Sequence, residues 1–221
     1  MANADTPFGL RPLRHRNGAP YNGAMNPYYK NSDYGTAMFV GDCVTKQGDS
    51  NAAVVTAPGA GSFNVQTLPE VKRTTAGDSN SDAERITGVV VGFGANPDNL
   101  STVYSPASKE AVVWVCDDPD VVFEIQCDTA VAVTQMQLNG ILIETHAGST
   151  STGLSGVELD GGSGTALAAN ASFQLMILRG VNREDNDVTL VHAKLEVMIS
   201  THTEASGMNT NAIGTLGQAA I

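Results

Sequence analysis

Residues 111–128 read AVVWVCDDPDVVFEIQCD, two apolar, β-branched runs on either side of Asp-Asp-Pro-Asp. Runs of this length and composition are strands. Pro119 suits the second position of a tight turn, with Asp118 before it and Asp120 after it. A hairpin closed there sets Cys116 opposite Phe123, Trp114 opposite Ile125 and Val112 opposite Cys127. Those six side chains then share one face, which places the single tryptophan in the core. Val122, Glu124 and Gln126 take the other face. The register also keeps Cys116 and Cys127 from facing each other, so no disulfide is expected between them.

Outward from this segment the same grammar recurs. Strands are expected at 37–46, 52–57, 63–68, 86–93, 173–181 and 188–200, each bounded by Gly, Asp, Asn or Pro. FQLMILRGV (173–181) and VTLVHAKLEVMIS (188–200) form a second hairpin across NREDND. Its return strand alternates Val191, Ala193, Leu195, Val197 and Ile199 with His192, Lys194, Glu196 and Met198, which predicts one wet face. The Ser-, Thr- and Gly-rich stretch 145–172 reads as a surface excursion, with room for one helical turn over 166–171. Helical periodicity is otherwise scarce. The fold class expected is all-β: a single β-barrel or β-sandwich body over residues 36–200, an extended N-terminal arm over 1–35 and a flexible C-terminal tail over 201–221.

The arm is set apart by charge. Arg11, Arg14, Arg16 and Lys30 against Asp5 give residues 1–30 a net +3, leaving −14 for the rest of a chain whose total is −11. Phe8, Leu10, Leu13, Tyr21, Tyr28 and Tyr29 are an unusual apolar load for a leader, since disordered tails are poor in aromatics. Fully extended, thirty residues reach about 100 Å. Phe8, Arg11, Arg14, Arg16, Tyr21, Tyr28 and Tyr29 are therefore the expected partner-binding residues, with the arm laid across a neighbouring subunit.

Other chemistry is thinly represented. Prolines and arginines interrupt the first residues, so no secretory h-region is expected, and apolar runs are too short for a helix to span a bilayer. Acidity argues against direct binding of nucleic acid, which calls for a broad basic face. Cys43, Cys116 and Cys127 have no metal-ligand spacing and read as reduced, buried thiols. GVVVGFG (88–94) runs into Ala-Asn-Pro-Asp instead of a helix, so its glycines mark a bulge or a strand end, not a dinucleotide loop. Asp117, Asp118 and Asp120 could hold a hard cation, but Asp is also a turn former. His15, His146, His192 and His202 show no catalytic spacing. No cofactor, metal or catalytic residue is expected.

Four stretches carry a resemblance: NADTPFGLRPLRHRNGAPYNG (3–23), VWVCDDPDVVFEIQCD (113–128), STSTGLSGVELD (149–160) and AKLEVMIS (193–200). Together the chain resembles tailed-bacteriophage virion proteins described as head decoration, cement or minor structural proteins. DDPDV-x-FE and GLSG-x-ELD are the most specific blocks. The resemblance implies a non-enzymatic protein, made in the host cytoplasm, that binds the capsid exterior and cements neighbouring subunits. The major capsid protein would be its partner, with self-association into a dimer or trimer and no membrane contact. A tail-tube or neck component is the alternative virion part. An enzyme or metal-dependent binding domain built on the Asp117–Asp120 turn is the alternative outside the virion.

Overall fold

The computed structural model describes residues 2–57, 61–64, 66–74, 84–96, 98–162, 167–168 and 174–204. Strands β1 (Arg11–His15) and β2 (Asn26–Lys30) come from the leader. They are followed by β3 (Cys43–Ser50), the short pair β4 (Val55–Ala57) and β5 (Gly61–Phe63), β6 (Pro69–Arg73) and β7 (Gly88–Phe93). β8 (Ala111–Cys116) and β9 (Val121–Gln126) flank the Asp-Asp-Pro-Asp segment. β10 (Asn139–Gly140), β11 (Leu142–Ile143), β12 (Glu158–Leu159) and β13 (Leu167–Ala168) are short, and β14 (Leu175–Gly180) and β15 (Lys194–Ile199) complete the set. The all-β expectation holds. β2-β6-β3-β7-β8 close into a barrel, and β1-β9-β15-β14-β10-β13 form a six-stranded sheet.

The Pro119 hairpin is corrected. β8 pairs with β2 and β7 in the barrel, whereas β9 pairs with β1 and β15 in the sheet. Residues 117–120 are a crossover between the two. The physical reason lies in the strands themselves. Val112, Val113, Val115 and Cys116 are all buried, as is every residue of β9. A strand that buries both faces has neighbours on both edges and cover on both sides, so it is central in its own sheet. The predicted face parity still holds for Cys116, Phe123, Ile125 and Cys127, which meet in one core with Val121, Leu195, Val197, Ile199, Leu175 and Ile177. That core lies between the barrel wall and the sheet. Trp114 is instead half-buried beneath the β4–β5 pair, edge-on to Phe63 at 6.4 Å. A separate set, Tyr28, Met38, Val44, Val71, Val90, Val113 and Val115, fills the barrel. The glycine-rich strand β7 carries the expected bulge, between Val90 and Gly92.

The leader is part of the body, which corrects the extended arm over 1–35. β1 lies antiparallel on β9, from Arg11↔Glu124 to His15↔Val121. β2 lies antiparallel on β8, from Asn26↔Val115 to Lys30↔Ala111, and closes the barrel by a parallel contact at Tyr29↔Glu70. Ahead of β1, the chain crosses Gly41 backbone against backbone. Gly9 (φ +70) and Gly41 (φ +96) both take the left-handed region, and a Cβ on Gly9 would sit 2.4 Å from the Gly41 carbonyl oxygen. The Leu10 amide donates to that oxygen at 2.9 Å, and Leu10 is buried in the main core. Lys30 is fully buried. Its ammonium donates to the carbonyls of Pro106 (2.6 Å) and Lys109 (2.9 Å), and burial pulls its pKa down to about 8.

Two further expectations change. The surface excursion expected over 145–172 holds for 145–152, which are exposed or partly exposed, but Ser155, Val157, Glu158 and Leu159 are buried, and Ser155 Oγ donates to buried Asp42 at 2.6 Å; 163–166 and 169–172 lie outside the described residues. Leu167–Ala168 are strand, paired to β10, where a helical turn was expected; 166 and 169–171 lie outside the described residues. The second hairpin is present as β14–β15. The tail expectation over 205–221 lies outside the described residues, but Thr201 and His202 are buried and His202 bridges to Ile86.

Two outcomes follow from this packing. Phe123→Ala, at a fully buried position, should cost about 3–5 kcal/mol in urea unfolding followed by circular dichroism, and half-exposed Trp114→Ala should cost less. The three cysteines are buried and unpaired, and burial raises Cys116 to about 11 and Cys127 to about 12. A thiol reagent should therefore find none reactive in native buffer and all three in denaturant.

Candidate functional site: an arginine–glutamate face

The outer face of the six-stranded sheet carries the most concentrated charge among the described residues. Glu124 on β9 and Glu196 on β15 are direct cross-strand partners, and both are buried. Two carboxylates opposite one another repel, and a buried unpaired charge costs several kcal/mol. Four arginines answer them. Arg11 Nη2 donates to Glu124 Oε2 at 2.7 Å. Arg183 Nη2 donates to the same oxygen at 2.8 Å, while its Nη1 lies 2.8 Å from Oε1 in ion-pair contact. Arg179 grips Glu196 with both prongs, Nε to Oε2 and Nη2 to Oε1 at 3.0 Å each, and Arg14 Nη2 reaches across β9 to Oε2 at 2.7 Å. A planar guanidinium fork matches a carboxylate in this way.

Two bulges make the arrangement possible. Arg11 and Arg14 are three residues apart and would fall on opposite faces of a regular strand. The register shift between Pro12 and Arg14 restores Arg14 to the Arg11 face, where it sits opposite Val122. A second shift between Ile177 and Arg179 does the same in β14, setting Arg179 opposite Glu196. Four guanidinium groups against two carboxylates leave the cluster at +2. Arg179, Arg11 and Arg183 keep 65, 52 and 39 % of their side-chain surface exposed, so N–H donors are still presented to solvent. The wet face expected for β15 is thus a roof of arginine over buried glutamate.

The predicted binding residues divide between this face and the interior. Phe8 lies under the Arg11 guanidinium at 4.7 Å. Arg11 and Arg14 serve the network, and Arg16 is exposed beside His15, Asp118 and Asp120. Tyr21 is half-buried, with its hydroxyl donating to the Ala24 carbonyl at 2.5 Å. Tyr28 and Tyr29 are buried, so they face this chain and not a partner. Tyr28 donates to Asp117 at 2.8 Å; burial, then Asp117, raises its pKa. Tyr29 is pushed up to about 12, first by burial and then by Glu110. Sequence reasoning missed Arg179, Arg183, Glu124 and Glu196. The available signal was a glutamate at the centre of VVFEIQ, since an unpaired charge is rarely buried in a central strand.

Of Asp117, Asp118 and Asp120, the turn-forming role weighed against cation binding is seen at Asp118. Asp117 accepts from Asn26 Nδ2 and the Tyr28 hydroxyl. Asp118 caps the amide of Asp120 at 2.8 Å and lies 3.2 Å from His15 Nδ1. The carboxylates of Asp117 and Asp118 are thus engaged within the crossover and by its neighbours. Among the described residues, the group of three metal-ligating side chains that converges is Asp5, Glu158 and His192. Comparison of the chain with protein-family models, with curated proteins and with solved structures finds no match.

Burial acts to raise the pKa of Glu196, but the hydrogen bonds and charges of Arg179 and Arg14 outweigh it and hold the group below its ordinary 4.5. A depressed carboxylate adds stability that is present above the ordinary value and lost as pH falls through the folded one. Glu196→Gln should therefore cost about 1–3 kcal/mol at neutral pH. The gap from the parent should close as unfolding is measured at progressively more acidic pH.

Proposed function

We propose that this chain is a non-enzymatic structural protein of a tailed-bacteriophage virion that binds the outer capsid surface and cements neighbouring capsid subunits. Two things support the reading. The first is the sequence resemblance, whose most specific blocks coincide with the crossover leading to Glu124 and with the buried Ser155–Leu159 segment. The second, and the observation that carries it, is a folded, exposed arginine face on a chain of net charge −11. The attachment surface in this reading is Arg11, Arg16, Arg179 and Arg183, preassembled on rigid strands. It replaces an arm that leaves the body. A rigid surface avoids the ordering cost of roughly 1–2 kcal/mol per residue that a disordered arm would meet. Many weak contacts repeated over a capsid then add by avidity.

The major capsid protein is the proposed partner, through acidic groups on its outer surface. A dimer or trimer of this chain on the capsid exterior is the proposed form. The test is to add purified protein to particles lacking it and to measure bound protein by sedimentation across a salt series. The double variant Arg16→Ala/Arg179→Ala removes one exposed arginine and the most exposed arginine of the network, which also pairs Glu196, so its fold is checked alongside binding. The double variant should bind more weakly and lose less affinity with added salt. Binding as tight as the parent's, with an unchanged circular dichroism spectrum, would exclude this face as the attachment surface. Cryo-electron microscopy of the decorated particles would distinguish a head position from a ring in the tail or neck.

A further inference from the structure

A second polar cluster adjoins the arginine face at Gln126, one position along the same face of β9 from Glu124, where the first residues of the chain meet the β14–β15 turn. Asp5, Glu158 and His192 each offer a ligand atom, all within 4.8 Å of one another. Glu158 is buried on β12, His192 is partly buried and Asp5 is exposed. Gln126, fully buried on β9, fixes the two carboxylates. The Thr6 amide donates to its Oε1 at 3.1 Å, which turns its NH2 group outward. That group donates to Asp5 Oδ1 at 3.1 Å and to Glu158 Oε1 at 2.9 Å. One neutral amide thus holds together two carboxylates that would otherwise repel. No lysine or arginine forms an ion pair with either among the described residues; the partners are His146 Nδ1, 2.9 Å from Glu158 Oε2, and His192.

His192 is the unexplained member. It adopts φ +60, a region a non-glycine residue rarely takes. Asn3 holds the turn that carries it: its Nδ2 donates to the carbonyls of Asp187 (2.8 Å) and Val191 (2.9 Å), and its Oδ1 accepts from the Asp187 amide at 2.9 Å. The result aims Nδ1 at Asp5. That nitrogen is shielded from solvent with no hydrogen-bond partner, and 3.6 Å from Asp5 Oδ1 is ion-pair range but too long for a hydrogen bond. Ligand atoms around a tetrahedral zinc ion, with bonds of about 2.0–2.1 Å, stand about 3.3–3.5 Å apart. His192 Nδ1 and Asp5 Oδ1 are already near that spacing, and every pair of ligand atoms lies within 4.8 Å.

We propose that Asp5, Glu158 and His192 form a three-ligand site for a divalent transition-metal ion of the zinc class, with solvent in the fourth position. An imidazole with two carboxylates suits zinc, whereas calcium takes six to eight oxygens. Gln126 and His146 are the positioning residues behind the ligands, the role such neighbours play at metal sites. The ligands come from the leader, from β12 and from the β14–β15 turn, so the ion would staple residues 2–10 onto the body.

The full-length protein, stripped with EDTA and exchanged into metal-free buffer, is titrated with Zn²⁺ by calorimetry and by thermal unfolding. One saturable site per chain and a raised Tm are expected, with no comparable rise from Ca²⁺ or Mg²⁺. Asp5→Asn, at an exposed position, and His192→Asn, which tolerates a left-handed backbone, should each weaken binding at least about tenfold. His146→Ala, which removes a positioning neighbour but no ligand, should weaken binding less than either of these. Bound Co²⁺ should give visible bands of low-symmetry coordination, and amide hydrogen exchange over residues 2–10 should slow in the presence of Zn²⁺. Absence of saturable binding, or binding unchanged in both Asp5→Asn and His192→Asn, would overturn the proposal and leave His192 and Asp5 as an ion pair only.

Discussion

The structure hangs on a single bent ribbon. β1 and β2 run antiparallel to β9 and β8, and both chains pass together from the sheet to the barrel. The Arg16 amide continues the ladder to the Asp120 carbonyl at 2.7 Å, so the pairing reaches the crossover itself. Residues 17–25 then loop out before the ribbon resumes at Asn26. Without the leader, β9 would have a bare edge, and β8 would lose the partner that joins it to β6. The main core, squeezed between barrel and sheet, is framed by this ribbon.

The arginine–glutamate network is best understood as a consequence of that pairing. Placing β15 on the other side of β9 sets Glu196 opposite Glu124, an arrangement unfavourable in isolation. The leader supplies Arg11 and Arg14, and the β14 side supplies Arg179 and Arg183. Each glutamate therefore receives one arginine from each flank. Removing a single partner leaves a buried carboxylate short of charge, so the network selects one register of three strands over a slip by one residue. The buried pair acts here on specificity as well as on stability.

Much of the fold was legible and some was not, for identifiable reasons. Val, Ile and Phe in short runs located the strands at 111–116, 121–126 and 175–180 to within two residues, whereas the strand expected over 188–200 begins only at Lys194, because 188–193 belong to the turn that carries His192. Pairing failed at Pro119 because Asp-Asp-Pro-Asp suits a crossover between sheets as well as a hairpin; burial on both faces of the flanking runs, Val113 beside Val112 and Val122 beside Phe123, was the discriminating signal. The leader was misjudged because Pro12 and Pro27 weaken any strand reading, and because its charge has no visible counterpart nearby in sequence. Its counterions sit more than a hundred residues away. Ser155–Leu159 looked like a loop because it lies in a stretch dense in Ser, Thr and Gly; Ser155 reaches Asp42, and Gly156 lets the backbone pass close to Ala147. The convergence of Asp5, Glu158 and His192 depends on that same long-range pairing, and no spacing in the chain could announce it.

The ribbon also imposes an order on synthesis. β1 and the antiparallel edge of β2 must wait for residues 111–126 before they can pair, and Arg14 waits for Glu196. Pairing over such separations makes loop closure slow and raises contact order. The leader therefore spends most of translation as an unpartnered, positively charged strand former, while the acidic remainder of the chain is still arriving. Its charge keeps that waiting segment from pairing with copies of itself. The barrel has all its strands once β8 is made, whereas the arginine–glutamate network is complete only when β15 arrives.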